Sequence, residues 1–273
     1  MSQLDNLKKY NFNFSHSLGQ NFIFDKNLLN NIVELAGVDK NTDVLEIGCG
    51  AGTLTHALAT HARTVIGYEI DRNLVPILSD TLKDATNVTI HYADIMDMDM
   101  SDIESHFAGN YMMIANLPYY ITTPIIFKFL DHATKLTKMA IMVQYEVAER
   151  LTAKENTTNY GAITPQIQLV ANTRILKKVP RNMFTPAPNV DSAVVEIAFA
   201  NKYTVEQIKR TKPIIKYAFA MRRKTLVNNL KSGLNISSDK IQSALQQMNL
   251  PASVRGEALS CDQFVTLADL LAQ

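Results

Sequence analysis

Two cysteines, Cys49 and Cys261, are all that the 273 residues contain. That is too few for a disulfide framework and points to reduced thiols in a cytoplasmic setting. No apolar stretch approaches the roughly 20 residues needed to span a bilayer, so no membrane partner is expected. The opening residues, MSQLDNLKKYNFNF, lack the apolar stretch of a secretory leader. Internal repeats and low-complexity tracts are also missing. A large net charge is missing too, since the formal balance is +1. With 47% hydrophobic and 19% charged residues, the composition is that of a folded chain. Its length suits one large domain, or a core domain with a small companion.

The near-neutral total hides a segregation of charge. Between Asp39 and Gly109, twelve acidic residues stand against four Lys or Arg. Between Lys177 and Lys231, twelve Lys or Arg stand against three acidic residues. A clustered basic segment suits a polyanion, nucleic acid above all. The plain alternative is a solvated basic face with no partner.

Short apolar runs at 43–48, 64–70, 87–93, 111–116, 139–145 and 191–200 read as strands. Segments with helical spacing separate them at 27–36, 55–62, 72–82, 123–133 and 146–153. This alternation predicts an α/β fold with a parallel sheet and helices on both faces. After about residue 200 only helical patterns remain. The run VEQIKRTKPIIKYAFAMRRKTLVNNLKSGL reads as helix, as do 237–249 and 260–273, with Ser237 or Ser238 and Ser260 as N-caps. The expected organisation is a sheet domain over 1–201 and a small all-helical domain over 202–273.

The run VLEIGCGAGTLT passes from a strand through Gly48, Gly50 and Gly52 into a helix. Such a turn either joins strand to helix tightly or lets backbone approach a ligand. Its G-x-G-x-G spacing is not the G-x-G-x-x-G of dinucleotide sites. Glu69 ends the second strand, where an acid can accept hydrogen bonds from ribose hydroxyls, and Asp94 ends the third. Glu46, Glu69, Asp71 and Asp94 together would repel a pyrophosphate. A nucleoside with a positive centre fits better, which points to S-adenosylmethionine, with Asp94 accepting from its adenine amine. Read singly, Asp94 is equally a turn or N-cap aspartate and Glu69 a strand-end acid.

The fourth strand ends in IANLPYY (114–120). If the first three strand ends hold a methyl donor, this one faces the acceptor. The N6 amine of adenine is a poor nucleophile because its lone pair is delocalised into the ring. Asn116 Oδ1 and the Leu117 carbonyl can accept from its protons and favour a more tetrahedral nitrogen. Pro118 stiffens the turn that aims them, and Tyr119 can stack on the base. Tyr120 has no assigned role beyond packing beneath the loop. Two prolines in NMFTPAPNVDS hold Phe184 at a fixed angle, either as a second stacking aromatic for a flipped base or as a core anchor.

Taken in order, LGQNF (18–22), EIGCGAG (46–52), YEID (68–71), AD (93–94), NLPYY (116–120), FTPAPNVDSAVV (184–195) and RRKT (222–225) resemble the ribosomal RNA adenine N6,N6-dimethyltransferases of the KsgA/Dim1 type. VRGEALSCDQFVTLA (254–268) is similar to the C-terminal signature of that family. The resemblance implies a Rossmann-like S-adenosylmethionine-dependent methyltransferase sheet and a helical C-terminal domain that recognises RNA. It implies cosubstrate contacts at Asn21, Ile23, Gly48, Gly50, Glu69, Asp94 and Asn116, base stacking by Tyr119 and Phe184, and no metal. The glycine loop departs from the family form at one place, reading GCGAG where GPGxG is usual.

The implied substrate is a pair of adjacent adenosines in a hairpin loop near the 3′ end of small-subunit (16S) rRNA. The implied partner is the immature 30S-type particle, met by a monomer. Arg222, Arg223 and Lys224, with Lys216, Lys209 and Arg210, are expected on a helix facing RNA phosphates, at most two of the first three on one surface. A helix-end salt-bridge cluster is the alternative. Two other functions remain open. One is the related antibiotic-resistance enzyme that modifies large-subunit rRNA, and NLPYY with FTPAPNVDSAVV favours the small-subunit type. The other is an assembly factor whose binding matters more than its catalysis.

Overall fold

In the computed structural model the described residues are Leu7, 9–15 and 18–272. The start of the chain, read above as lacking a leader, and Gln273 lie outside them. Elements follow in the order β1 (Phe22–Ile23), α1 (Lys26–Ala36), β2 (Asp43–Ile47), α2 (Thr53–His61), β3 (Thr64–Glu69), α3 (Val75–Thr81), β4 (Val88–Tyr92), α4 (Met100–Ser105), β5 (Tyr111–Asn116), α5 (Thr122–His132), β6 (Leu136–Gln144), α6 (Tyr145–Leu151), α7 (Ile163–Gln168), β7 (Ala171–Val179), β8 (Phe184–Thr185) and β9 (Ser192–Phe199). Four helices follow: α8 (Val205–Ala218), α9 (Leu226–Leu234), α10 (Ser238–Gln247) and α11 (Cys261–Ala272). Two compact units divide the chain, residues 1–148 with 174–198, and 149–173 with 199–273. The second unit therefore begins earlier than the 202 boundary read from the sequence. Leu169, Ala162 and Val170 pack with the apolar cluster of the C-terminal helices, which is why that stretch joins them.

Seven strands form a mixed sheet in the order β4-β3-β2-β5-β6-β9-β7. β2 is fully buried along its length and pairs in parallel with both β3 and β5. The chain builds outward from β2 on one side, then returns to build outward on the other. Such a reversal opens a crevice at the carboxyl ends of the two strands, where ligands bind in open α/β sheets. α1 shows how local sequence supports this frame. Asp25 accepts the Leu28 N–H at 2.9 Å at its start, Gly37 ends it at φ 78°, and Leu29, Ile32, Val33 and Ala36 turn one face to the core. That face meets Val44, Met112, Ile114, Ala140 and Val194 from the strands.

Two expectations need correction. The sheet is not parallel throughout, because β9 runs antiparallel to β6, with Gln144 opposite Ser192 and Lys138 opposite Ala198. It is flanked by β7, a strand that the apolar pattern does not reveal. Arg174, Lys177 and Lys178 interrupt its sequence ANTRILKKV, and charges of this kind suit an edge strand. A separate two-stranded ribbon pairs β1 with β8, Ile23 opposite Phe184.

The second unit packs Ile214, Ile215, Leu226, Leu230, Ile241 and Phe264 into its own core. Ser237 caps α10 by accepting from the Lys240 N–H, and Ser260 and Gln263 cap α11 reciprocally. The long basic helix is broken. Helix α8 ends at Ala218 and α9 begins only after Thr225, so Arg222, Arg223 and Lys224 stand in the connecting turn, all exposed. Thr225 accepts from the Asn228 N–H, and the buried Asn229 side chain donates to Ala218 O at 2.9 Å and Met221 O at 3.1 Å. These bonds satisfy the helix ends on both sides of the break. Lys216 is exposed on α8. Among the described residues none of these four cations is in an ion pair, which removes the salt-bridge reading there. No described helix is long and apolar enough to cross a membrane.

Candidate active site

After β2 the backbone turns through Gly48 (φ 76°), Gly50 (φ 55°) and Gly52 (φ 77°). All three lie in the left-handed region that glycine adopts without steric cost. At Gly50 a Cβ would also come within 2.9 Å of the Phe22 ring, so space as well as conformation demands glycine there. The Gly48 N–H donates to Tyr68 O at 2.8 Å, tying the loop to β3. The Gly50 N–H donates to Glu69 Oε2 at 2.8 Å, and Glu69 Oε1 accepts the Asp71 N–H at the same distance. Glu69 is buried, and that burial pushes its carboxyl upward from the ordinary value. Each of its oxygens keeps a further lone pair for a ligand hydroxyl.

Residues 18–22 form a strap across this loop. The Gln20 side chain donates to Asp71 Oδ2 at 2.8 Å. Asn21 offers its backbone oxygen to Asn116 Nδ2 at 2.9 Å and donates its own amide to Gly19 O. Ile23 lines the hollow behind the glycine loop together with Gly48 and Asn116. Gln20 lies in LGQNF, and its link to Asp71 is not legible in the sequence. LGQNF was the only signal, and it does not reveal the partner.

Asp94, half-buried beyond β4, accepts the Met96 N–H at 2.8 Å through Oδ1. It borders a hollow with Ile70, Ile95, Pro118 and Tyr120, a largely apolar surround with a carboxylate at its edge. Tyr120 is not packed beneath the loop as expected. It is 60% exposed and lines this hollow as well as the cleft over Gly48 and Glu69. Among the described residues lining these hollows there is no Lys or Arg. A wall of this kind suits a nucleoside carrying positive charge and suits a phosphate poorly.

Asn116 closes β5 beside the glycine loop, and a Cβ on Gly48 would meet its backbone oxygen at 3.7 Å. With Nδ2 taken by Asn21, the Oδ1 edge is left to accept. The Leu117 carbonyl is likewise free of hydrogen bonds among the described residues. Pro118 O accepts from the Ile121 N–H and the Thr122 hydroxyl, both at 3.1 Å, which holds the turn. Tyr119 is half-buried and its hydroxyl lies 2.8 Å from Ser192 Oγ. Beyond the Tyr119 ring opens a second cleft of about 370 Å³, lined by Gln20, Asn21, Gln144, Pro186 and Asn189.

Phe184 does not face either cleft. Its ring is 4% exposed and packs in the cluster of Ile23, Leu29 and Val179. Pairing of β8 with β1 places it opposite Ile23 and draws it inward. The structure therefore brings Asn21, Ile23, Gly48, Gly50, Glu69, Asp94 and residues 116–119 to one sheet edge and leaves Phe184 as a core anchor.

One further carboxylate belongs to this edge. Glu46 is wholly buried within β2, and neither of its oxygens has a hydrogen-bond partner among the described residues. Burial, reinforced by the Glu69 charge, pushes its carboxyl up to about 8.

Residues 11–273 match the model of the family described as ribosomal RNA adenine dimethylase. The chain is 40% identical over 269 residues to ribosomal RNA small subunit methyltransferase A of Clostridioides difficile, covering 97% of this chain and 93% of the relative. It superposes on the crystal structure of a dimethyladenosine transferase from Plasmodium falciparum with a TM-score of 0.75 at 24% identity, covering 90% of this chain and 95% of that one. The 23S rRNA methyltransferase ErmE superposes with a TM-score of 0.74, also at 24% identity, over 93% of this chain and 100% of that one. At that identity the two superpositions speak for the fold. The family match and the close relative settle kinship: this chain belongs to the ribosomal RNA adenine dimethylase family.

Proposed function

We propose that this protein transfers methyl groups from S-adenosylmethionine to N6 of two adjacent adenosines in a hairpin loop near the 3′ end of small-subunit rRNA. The observation that carries this reading is the Asn116 amide, locked through Nδ2 to Asn21 so that Oδ1 stays open beside the glycine loop. The relatives named as small-subunit methyltransferases support the choice of subunit.

The residues present fit the cosubstrate. Gly48 and Gly50 let backbone approach it, Glu69 accepts from ribose hydroxyls, and Asp94 accepts from an adenine amine. Asn21, Ile23 and Asn116 complete its contacts. When bound, the cosubstrate supplies an electrophilic methyl on a sulfonium. Everything else is positioning. Asn116 Oδ1 and the Leu117 carbonyl accept hydrogen bonds from the two N6–H groups of the target base, turning its lone pair out of the ring plane. Pro118 fixes their direction, and Tyr119 lies against the base face. No strong base is required, because a proton leaves to water once the nitrogen has become cationic. Catalysis of this kind rests on alignment and preorganised dipoles.

Arg222, Arg223, Lys224 and Lys216, exposed and without ion-pair partners among the described residues, contact RNA phosphates from the second unit. The first unit carries the methyl-transfer chemistry and the second serves recognition. The protein acts as a cytoplasmic monomer on the immature small-subunit particle, without a metal. The test is incubation with methyl-labelled S-adenosylmethionine and separately purified, unmodified small and large subunits. Label on small-subunit rRNA is the expected result, and label confined to the large subunit refutes the proposal.

A further inference from the structure

The Tyr119 ring lines two neighbouring clefts, which it shares with Gly19, Gln20 and Asn21. One holds Gly48, Glu69 and Asn116, and the other, of about 370 Å³, holds Gln144, Pro186 and Asn189. Its root is fixed by the Pro118 turn, whose carbonyl takes two hydrogen bonds. Its tip is fixed elsewhere, by Ser192 Oγ at 2.8 Å. Ser192 is fully buried at the first position of β9, directly across from Gln144 of β6. A buried hydroxyl without a partner is costly, and Tyr119 supplies the partner. Burial also pushes the Tyr119 phenol upward, so it remains protonated as a neutral hydroxyl. A phenylalanine would offer the same flat face but would leave its tip untethered.

We propose that Ser192 is a positioning residue that sets the angle at which the Tyr119 ring meets the acceptor base. The inference rests on the reading that Tyr119 stacks on that base. No bond is made or broken at Ser192. Its effect passes through the ring, because methyl transfer tolerates little misplacement of the attacking nitrogen. A side chain tethered at both ends cannot exchange among the staggered rotamers open to a free one.

The test is a double-mutant cycle on single-turnover methyl transfer to unmodified small subunits, using wild type, Ser192→Ala, Tyr119→Phe and the double variant. Each single change lowers the rate roughly threefold to tenfold, the value of one hydrogen bond. The double variant is no slower than the slower single, because both remove the same link. Affinity for S-adenosylmethionine stays within about twofold throughout. Losses that multiply in the double variant overturn the inference, since an independent structural role for Ser192 would act on top of Tyr119→Phe. A wild-type rate in Ser192→Ala overturns it as well. Should Ser192→Ala fail to fold, Tyr119→Phe decides alone: slowed transfer with unchanged cosubstrate affinity supports the tether, and an unimpaired variant refutes it. A wild-type protein that modifies no small subunit refutes the functional reading itself.

Discussion

Asn116 donates its side-chain amide to the backbone oxygen of Asn21 at 2.9 Å, joining the end of a central strand to the strap that crosses the glycine loop. One bond thus orients the acceptor oxygen and closes the site. Replacing Asn116 with Ala removes both effects. Transfer is expected to fall about 100- to 1000-fold, the scale seen when one preorganised polar group is lost from a reacting centre. Stability should drop by only about 1 kcal/mol. Single-turnover rates and urea midpoints on the same preparation check this. A variant within tenfold of wild type would remove Asn116 from its assigned role.

Gly50 is constrained twice, by its positive φ and by the Phe22 ring. Gly50→Ala should cost about 1–2 kcal/mol in backbone strain alone. The displaced loop should also weaken cosubstrate binding at least tenfold. Equilibrium binding of S-adenosylmethionine and a denaturation curve read the two effects separately. Unchanged affinity would show that the loop does not contact the cosubstrate.

The buried Glu46 makes stability depend on pH. Its folded carboxyl titrates near 8, against about 4.5 when unfolded. Between those values the folded chain holds a proton that the unfolded chain has lost, so Glu46 lowers stability as pH rises through this window. Below about 4.5 both states are neutral at this position, and above about 8 the penalty is constant. Glu46→Gln keeps the shape of the neutral acid and removes the dependence. Its advantage over wild type should grow from pH about 5 to about 8, reach a few kcal/mol, and then level off. Urea midpoints across that range check it, and parallel curves for the two proteins would contradict it.

Arg222, Arg223 and Lys224 occupy a turn rather than a helix face, so all three can meet phosphates together. Changing all three to Gln should leave the melting temperature unchanged, because the side chains are exposed. The slope of log affinity against log salt for rRNA should decrease by roughly 2. Filter binding at several salt concentrations measures that slope. An unchanged slope would place the RNA on another surface.

Much of this frame was legible in the chain. Strands β2, β3 and β5 are largely apolar because they are buried on both faces, with Glu46 the buried exception inside β2, and their ends carry Gly48, Glu69 and Asn116. What escaped was set by tertiary structure. β7 carries Arg174, Lys177 and Lys178 because an edge strand faces water, and that erased its apolar signal. The break after α8 falls among good helix formers and is held by the Asn229 amide, a contact invisible in local sequence. Phe184 was read between two roles, and only its pairing opposite Ile23 shows the ring turned into the core. Ser192 lies inside FTPAPNVDSAVV, yet its value lies in a hydroxyl contact with Tyr119, far away in the chain.

Nucleoside analysis of small-subunit rRNA is the most direct test of the central claim. Unmodified small subunits are treated with S-adenosylmethionine and either wild-type protein or Asn116→Ala, and the rRNA is digested and separated. The account predicts N6,N6-dimethyladenosine at two neighbouring positions with the wild type and almost none with the variant. Methyl groups on ribose, on another base, or only on large-subunit rRNA would contradict it.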